Sequence, residues 1–239
     1  MTLLEYKSVA KYFGALKAIE DMSFRVAEGE IVGLIGPNGA GKTTLFAMAS
    51  GFARPTRGEI RFAGQRIDRA SPPAICRRGL CRTFQIVRPF GTMTVLENVA
   101  IGAFLRHRDR AGAERRARAV LERVGMGGRL DQVAQTLTLA GRKRLEVAKA
   151  LATEPRLLLL DEVMAGLTAV ETEEMIALIR DLRADGLTVL LIEHNMHAVM
   201  SISDKIVVLH HGRKIADGPP ADVAADPAVI SAYLGEGDD

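Results

Sequence analysis

Residues 36–44 read GPNGAGKTT and fit the pattern G-x-x-x-x-G-K-[ST]. The run IVGLI ahead of them has the length and apolarity of a buried strand, and residues 42–50 read as a helix. Gly36, Gly39 and Gly41 can adopt positive φ and bring bare backbone close to an anion. Pro37, Asn38 and Ala40 complete the loop, so its amide hydrogens and the helix end converge on phosphate. Lys42 is placed to reach outer phosphates and the Thr43 hydroxyl to hold Mg²⁺, with Thr44 beside it. A loop of this kind serves kinases, GTPases and ATPases alike, so it fixes nucleotide binding and leaves the reaction open.

Residues 157–162 read LLLLDE. Four leucines predict a strand buried on both faces that delivers two acids to its carboxyl end, the edge where open α/β sheets bind ligands. Asp161 is the candidate Mg²⁺ ligand and Glu162 the candidate base for an attacking water. A nucleoside kinase needs no second acid here, so the pair favours hydrolysis. The run LLIEH at 190–194 brings His194 to a neighbouring strand end, where it can report the γ-phosphate. Gln85, in RTFQIVRPF, stands where strand signals give way to helical ones; its amide can touch Mg²⁺ or the water and couple nucleotide state to movement. His107, His197, His210 and His211 read as surface residues.

These side chains need an α/β scaffold. Strand signals lie at 3–9, 23–26, 31–35 and 60–62, divided by Gly-bearing and charged turns. Between 88 and 153 helical signals take over: Ala117, Val120, Leu121 and Val124 form one apolar stripe. This predicts a helical subdomain at 88–153 inserted into a nucleotide-binding core made of 1–87 and 154–239, with Pro89 and 125–128 as loops or hinges. Strands at 157–160, 187–192 and 205–209 and a helix carrying Met175, Leu178, Ile179 and Leu182, ending at Gly186, imply parallel pairing with right-handed crossovers.

The chain has 239 residues and a formal net charge of +3, too mild a balance to indicate nucleic acid as partner. Arginines concentrate between 106 and 123; a solvated helix face is favoured over a surface for acidic partners or lipid headgroups. Cys76 and Cys81 show neither metal nor disulfide-framework spacing and read as ordinary thiols in a reducing cytoplasm. No run approaches the ~20 apolar residues of a membrane span, and the start MTLLEYKS does not read as a signal peptide. Residues 235–239 are small and acidic and read as a frayed end.

Taken in order, the motifs resemble the ATPase subunit of ABC transporters over nearly the whole chain. The resemblance implies an ABC-type P-loop fold, a mixed or parallel sheet core with an N-terminal antiparallel β subdomain and an inserted helical subdomain, binding ATP with Mg²⁺. It places Phe13, with Tyr12 as runner-up, on the adenine, and assigns Gly36 to Thr44 as Walker A, Gln85 as the Q-loop, Asp161 and Glu162 as Walker B and His194 as the switch histidine. The segments RTFQIVRPFGTMTVLENVAIGA, LLLLDEVMAGL, LIEHNM and VISAYLGE look like the first ATPase of branched-chain amino acid uptake systems, which share their pattern with importers of urea, amides and other hydrophobic amino acids; the lipopolysaccharide-export ATPase is the alternative. A soluble non-transport P-loop ATPase or regulator is the alternative of another class.

The partners implied are two transmembrane permease subunits, a paralogous ATPase or a second copy arranged head to tail, and indirectly a periplasmic binding protein. The implied place is the cytoplasmic face of the inner membrane. The family signature LSGGQ falls here on LTLAG at 137–141. There Thr138, Ala140 and Gly141 would complete the other subunit's nucleotide site, using free amides at a helix start near Gly141–Arg142. Thr168, with Glu171 three residues on, fits a capping box.

Overall fold

The computed structural model describes residues 1–85 and 88–234. The boundary expected between 87 and 88, the IV of RTFQIVRPF and the tail expected at 235–239 lie outside these residues. A hairpin of two twelve-residue strands opens the chain, β1 (Thr2–Phe13) and β2 (Leu16–Ala27). Both strands outrun the sequence-based expectation. The cause is local: the register shifts between Tyr6 and Val9, where Ser8 takes φ 44°, and this breaks the alternation that marks a strand. β4 (Arg57–Phe62) and β5 (Gln65–Arg66) extend the hairpin into an antiparallel sheet of order β2-β1-β4-β5.

The second sheet runs β10-β9-β3-β8-β7-β6. Its strands are β3 (Ile31–Ile35), β6 (Leu80–Arg82), β7 (Leu157–Asp161), β8 (Thr188–Ile192), β9 (Lys205–His210) and β10 (Arg213–Gly218). All are parallel except the edge strand β10. β6 and β10 carry no sequence signal: one is three residues long, the other a polar edge strand. The period of two divides each central strand between two cores. Leu157, Leu159, Leu190, Ile192, Val207 and Leu209 pack with the antiparallel sheet and α1 (Lys42–Ala49). Leu158, Leu160, Val189, Leu191, Ile206 and Val208 pack on the opposite face, with the helices. That is why these strands read as unbroken apolar runs.

Short helices α2 (Pro72–Arg77), α8 (Pro220–Ala224) and α9 (Pro227–Leu234) flank the sheets. The helical stretch consists of α3 (Val95–Ala103), α4 (Arg110–Arg123) and α5 (Leu139–Ala152). Thr94 and Glu97 form a reciprocal cap at the start of α3. The stripe Ala117, Val120, Leu121 and Val124 is buried. Its arginine-rich face is largely solvated, although Arg116 pairs with Glu154, and Arg123 reaches Asp185, just past residue 184. α6 (Ala169–Ala184) buries Met175, Leu178, Ile179 and Leu182, and α7 (Met196–Ile202) follows β8. Thr168 and Glu171 make the capping box expected for α6. Among the described residues no helix is long and apolar enough to cross a membrane.

Candidate active site

The phosphate loop leaves β3 and enters α1 at Gly41. Gly36 has φ 146°, and a Cβ there would stand 2.0 Å from the Leu209 carbonyl oxygen; Gly41 has φ 104°, and its Cβ would stand 2.7 Å from the Ala18 oxygen. Both neighbours are backbone, so both positions require glycine. The Lys42 ammonium is buried and donates to the carbonyls of Gly36, at 2.6 Å, and Pro37, at 2.8 Å. A cavity of about 410 Å³ brings together Phe13, Asn38, Gly39, Gly41, Lys42, Thr43, Thr44, Glu162, His194 and His211. That volume suits a nucleotide-sized ligand. Phe13 is 52% exposed at its mouth. Tyr12 lies against Arg57 and is not among the cavity's lining residues, so the geometry favours Phe13 for a base.

Glu162 holds the centre. It follows β7 at φ 51°, a left-handed conformation that costs a non-glycine residue about 1–3 kcal/mol. Its amide donates to the Ile192 carbonyl at 2.9 Å and its carbonyl accepts from the Lys143 ammonium at 2.7 Å. These bonds fix the strained backbone. The side chain then lies between two polar groups: Gln85 Nε2 donates to Oε2 at 2.6 Å, and His194 Nε2 is 2.9 Å from Oε1. Three residues drawn from widely separated parts of the sequence thus meet at one carboxylate. Such a carboxylate can accept a proton from water while the imidazole and the amide hold its orientation.

Thr43, Gln85 and Asp161 line one further cavity, of about 530 Å³. A hydroxyl, an amide and one carboxylate are hard oxygen donors of the kind Mg²⁺ takes, together with waters and phosphate oxygens. No cluster of three His, Cys, Asp or Glu that could hold a metal occurs among the described residues, and Mg²⁺ in such a site needs none. The residues present therefore fit Mg²⁺. Asp161 also carries an ion pair: Arg82 Nη2 donates to its Oδ2 at 2.7 Å. Arg82 sits on β6, whose brevity hid it from sequence reasoning.

One expectation needs correcting, at 137–141. The helix α5 starts at Leu139, ahead of the expected Gly141–Arg142. Thr138 is its N-cap: its hydroxyl accepts from the Gly141 amide at 3.2 Å, and its carbonyl accepts from the Arg142 amide at 2.9 Å. Those two amides are therefore engaged within the chain. The first-turn amides, which precede any intrahelical bond, belong to Leu139 and Ala140. His211 is exposed, as expected of a surface residue, and lines the phosphate cavity.

Two buried ions behind the site went unread. Glu193 is 3% exposed; Oε1 accepts from the Met164 amide at 2.8 Å, which ties the loop after Glu162 to the end of β8. Burial pushes its carboxyl up to about 7, against the pull of that hydrogen bond and of Lys143, with Glu162 adding a smaller upward push. Burial lowers the Lys143 ammonium. Because the folded-state value of Glu193 lies above its ordinary 4.5, the folded chain binds a proton that the unfolded chain has released. Stability from this group is complete below about pH 4.5 and is lost as pH rises to about 7. The loss is on the order of 3 kcal/mol. Glu193→Gln keeps an acceptor for Met164 and removes the charge. Its melting temperature at pH 8 is expected about 5 °C above wild type, converging at pH 5; parallel melting curves across this range would refute the assignment.

Comparison with known proteins adds the relatives. The family model described as ABC transporter matches residues 19–165, and one described as Branched-chain amino acid ATP-binding cassette transporter matches 213–239. The chain is 42% identical, over 98% of each chain, to the high-affinity branched-chain amino acid transport ATP-binding protein BraF of Pseudomonas aeruginosa. It is 40% identical, again over 98% of each, to the protein LivG of Escherichia coli, described in the same words. The lipopolysaccharide export system ATP-binding protein LptB of Acidithiobacillus ferridurans is 38% identical over 98% of this chain and 97% of its own. Among solved structures, an ATP-binding cassette of an ABC transporter in its ADP conformation superposes with a TM-score of 0.90 at 30% identity, covering 98% of this chain and 99% of that one.

Proposed function

Because the chain belongs to the ABC transporter family of ATP-binding subunits and is an ATPase, we propose that it powers an importer of branched-chain or other hydrophobic amino acids from the cytoplasmic face of the inner membrane. The observation that carries the substrate class is the branched-chain match over 213–239, joined to BraF-like identity along the rest of the chain.

In this reading Phe13 stacks on adenine and the loop from Gly36 to Thr44 cradles the phosphates. Lys42 moves from the loop carbonyls to the outer phosphate oxygens. Thr43, Asp161 and Gln85 hold Mg²⁺, which when bound neutralises charge on the β- and γ-phosphates. Glu162 takes the proton of the attacking water, and His194 orients its carboxylate. Two copies, or this chain and a paralogue, sit head to tail so that the start of α5, with Thr138, Ala140 and Gly141, faces the partner's γ-phosphate. Leu139 and Val170, both exposed, flank that surface. Phe84, Phe90, Ile101 and Phe104 are exposed beside Gln85 and α3 and offer an apolar seat for a segment of a permease subunit. Release of Gln85 from Glu162 would shift this seat. The core of 1–87 with 154–239 and the helical unit of 88–153 are the bodies that move.

The test is reconstitution with the two permease subunits and a periplasmic binding protein in vesicles. ATP hydrolysis is expected to rise severalfold when the binding protein carries leucine, isoleucine or valine, with uptake of that amino acid. Stimulation by lipopolysaccharide-export components and by none of these amino acids would overturn the reading.

A further inference from the structure

Arg82 joins three parts of the site that the proposed mechanism treats separately. Its guanidinium is paired with Asp161 at 2.7 Å, and the two side chains are 9% and 3% exposed. It lies 5.8 Å from the ring of Phe46 on α1 and 5.4 Å from the ring of Phe84. Phe46 is fully buried beneath the phosphate loop, whereas Phe84 is exposed and adjoins Gln85. Arg82 Nε is buried with no hydrogen-bond partner among the described residues. The group is thus held by one ion pair and two aromatic faces, and its hydrogen-bonding capacity is only partly used. A buried carboxylate needs a counter-charge, and Arg82 supplies it. A carboxylate whose Oδ2 is bonded to a guanidinium is a poorer ligand for a divalent cation, because the two positive charges repel at short range.

We propose that Arg82 is a positioning residue that competes with Mg²⁺ for Asp161 and passes metal arrival to the Phe84–Gln85 segment. With nucleotide and metal absent, Arg82 neutralises Asp161 and keeps β6 docked on β7. When the metal takes Asp161, the guanidinium is displaced. Phe84, stacked on it, then shifts and carries Gln85 away from Glu162. The same displacement that completes the metal site thereby reaches the exposed apolar seat. This inference rests on the reading of the chain as a Mg²⁺-dependent ATPase and adds to it a residue that sets how much metal is needed.

The experiment measures binding of a non-hydrolysable ATP analogue at stepped Mg²⁺ concentrations, in wild type and Arg82→Met. The Mg²⁺ concentration for half-maximal binding is expected to fall about tenfold in Arg82→Met, the usual contribution of one charge-assisted hydrogen bond. Should that variant fail to fold, Arg82→Gln keeps a donor for Asp161 without the charge, and the same direction is expected. On an Asp161→Asn background the Arg82 substitution is expected to change nothing. The chain contains no tryptophan, so Phe84→Trp gives a single reporter. Its emission is expected to shift when metal and analogue bind, and to lose that shift when Arg82→Met is added. An equal or higher Mg²⁺ requirement in the Arg82 variants would overturn the proposal. So would an emission shift in Phe84→Trp that persists unchanged when Arg82→Met is added. Wild-type binding that ignores Mg²⁺ would instead overturn the underlying reading, which keeps the two failures apart.

Discussion

Glu162→Gln is expected to bind ATP as wild type does and to hydrolyse it about 10²–10³-fold more slowly, the usual contribution of a positioned general base. The substitution is nearly isosteric and leaves the backbone where it is. Glu162 is held at φ 51° by its amide bond to Ile192 and by Lys143 on its carbonyl, and neither bond involves the side chain. An amide at 162 still accepts from His194 through its oxygen. Its NH₂ then faces Gln85, whose amide can turn to present oxygen, so the local hydrogen bonds survive. What is lost is the capacity to take a proton from water. Single-turnover hydrolysis and equilibrium ATP binding, measured on the same preparation, separate the two effects. Turnover within a fewfold of wild type would remove Glu162 from the role of base and shift attention to His194.

The residues proposed for this chemistry were legible as candidates because each sits in a short local pattern. The phosphate loop is contiguous, and LLLLDE and LLIEH announce buried strands ending in polar groups. The central sheet was legible for the same reason: β3, β7, β8 and β9 are buried on both faces and read as unbroken apolar runs. What escaped lacks such a pattern. β6 owes its place to pairing with β7, from Leu80 opposite Leu157 to Arg82 opposite Leu159, and three residues are too few for any period to appear. Arg82 was hidden with it. Glu193 and Lys143 look like ordinary surface charges in sequence, and only the fold buries them beneath Glu162. The start of α5 was misplaced by two residues because Thr138 caps the helix, while the glycine at 141, usually a sign of a helix end, lies inside its first turn. Helix ends depend on such individual hydrogen bonds more than on composition.

Lys42→Ala is expected to weaken ATP binding about 100-fold, with a smaller loss for ADP and none for adenosine. The ammonium is buried, and in this structure it bonds the carbonyls of Gly36 and Pro37. Those bonds hold the loop open around the path a phosphate takes. They also show that the ammonium reaches back over the loop from the first residue of α1, the direction in which outer phosphates would lie. Charge-assisted hydrogen bonds to phosphate contribute about 1.5–3 kcal/mol each in a site screened from water, and the γ-phosphate adds one the diphosphate lacks. The graded loss from ATP through ADP to adenosine is therefore the signature of a phosphate contact. A collapse of the loop predicts something else. If alanine merely let the carbonyls of Gly36 and Pro37 fall inward, all phosphate-bearing ligands would lose equally and the melting temperature would drop with them. Calorimetric titration of the three ligands, beside thermal unfolding of the ligand-free variant, distinguishes these outcomes. Equal affinity of variant and wild type for ATP would exclude Lys42 from the phosphate site.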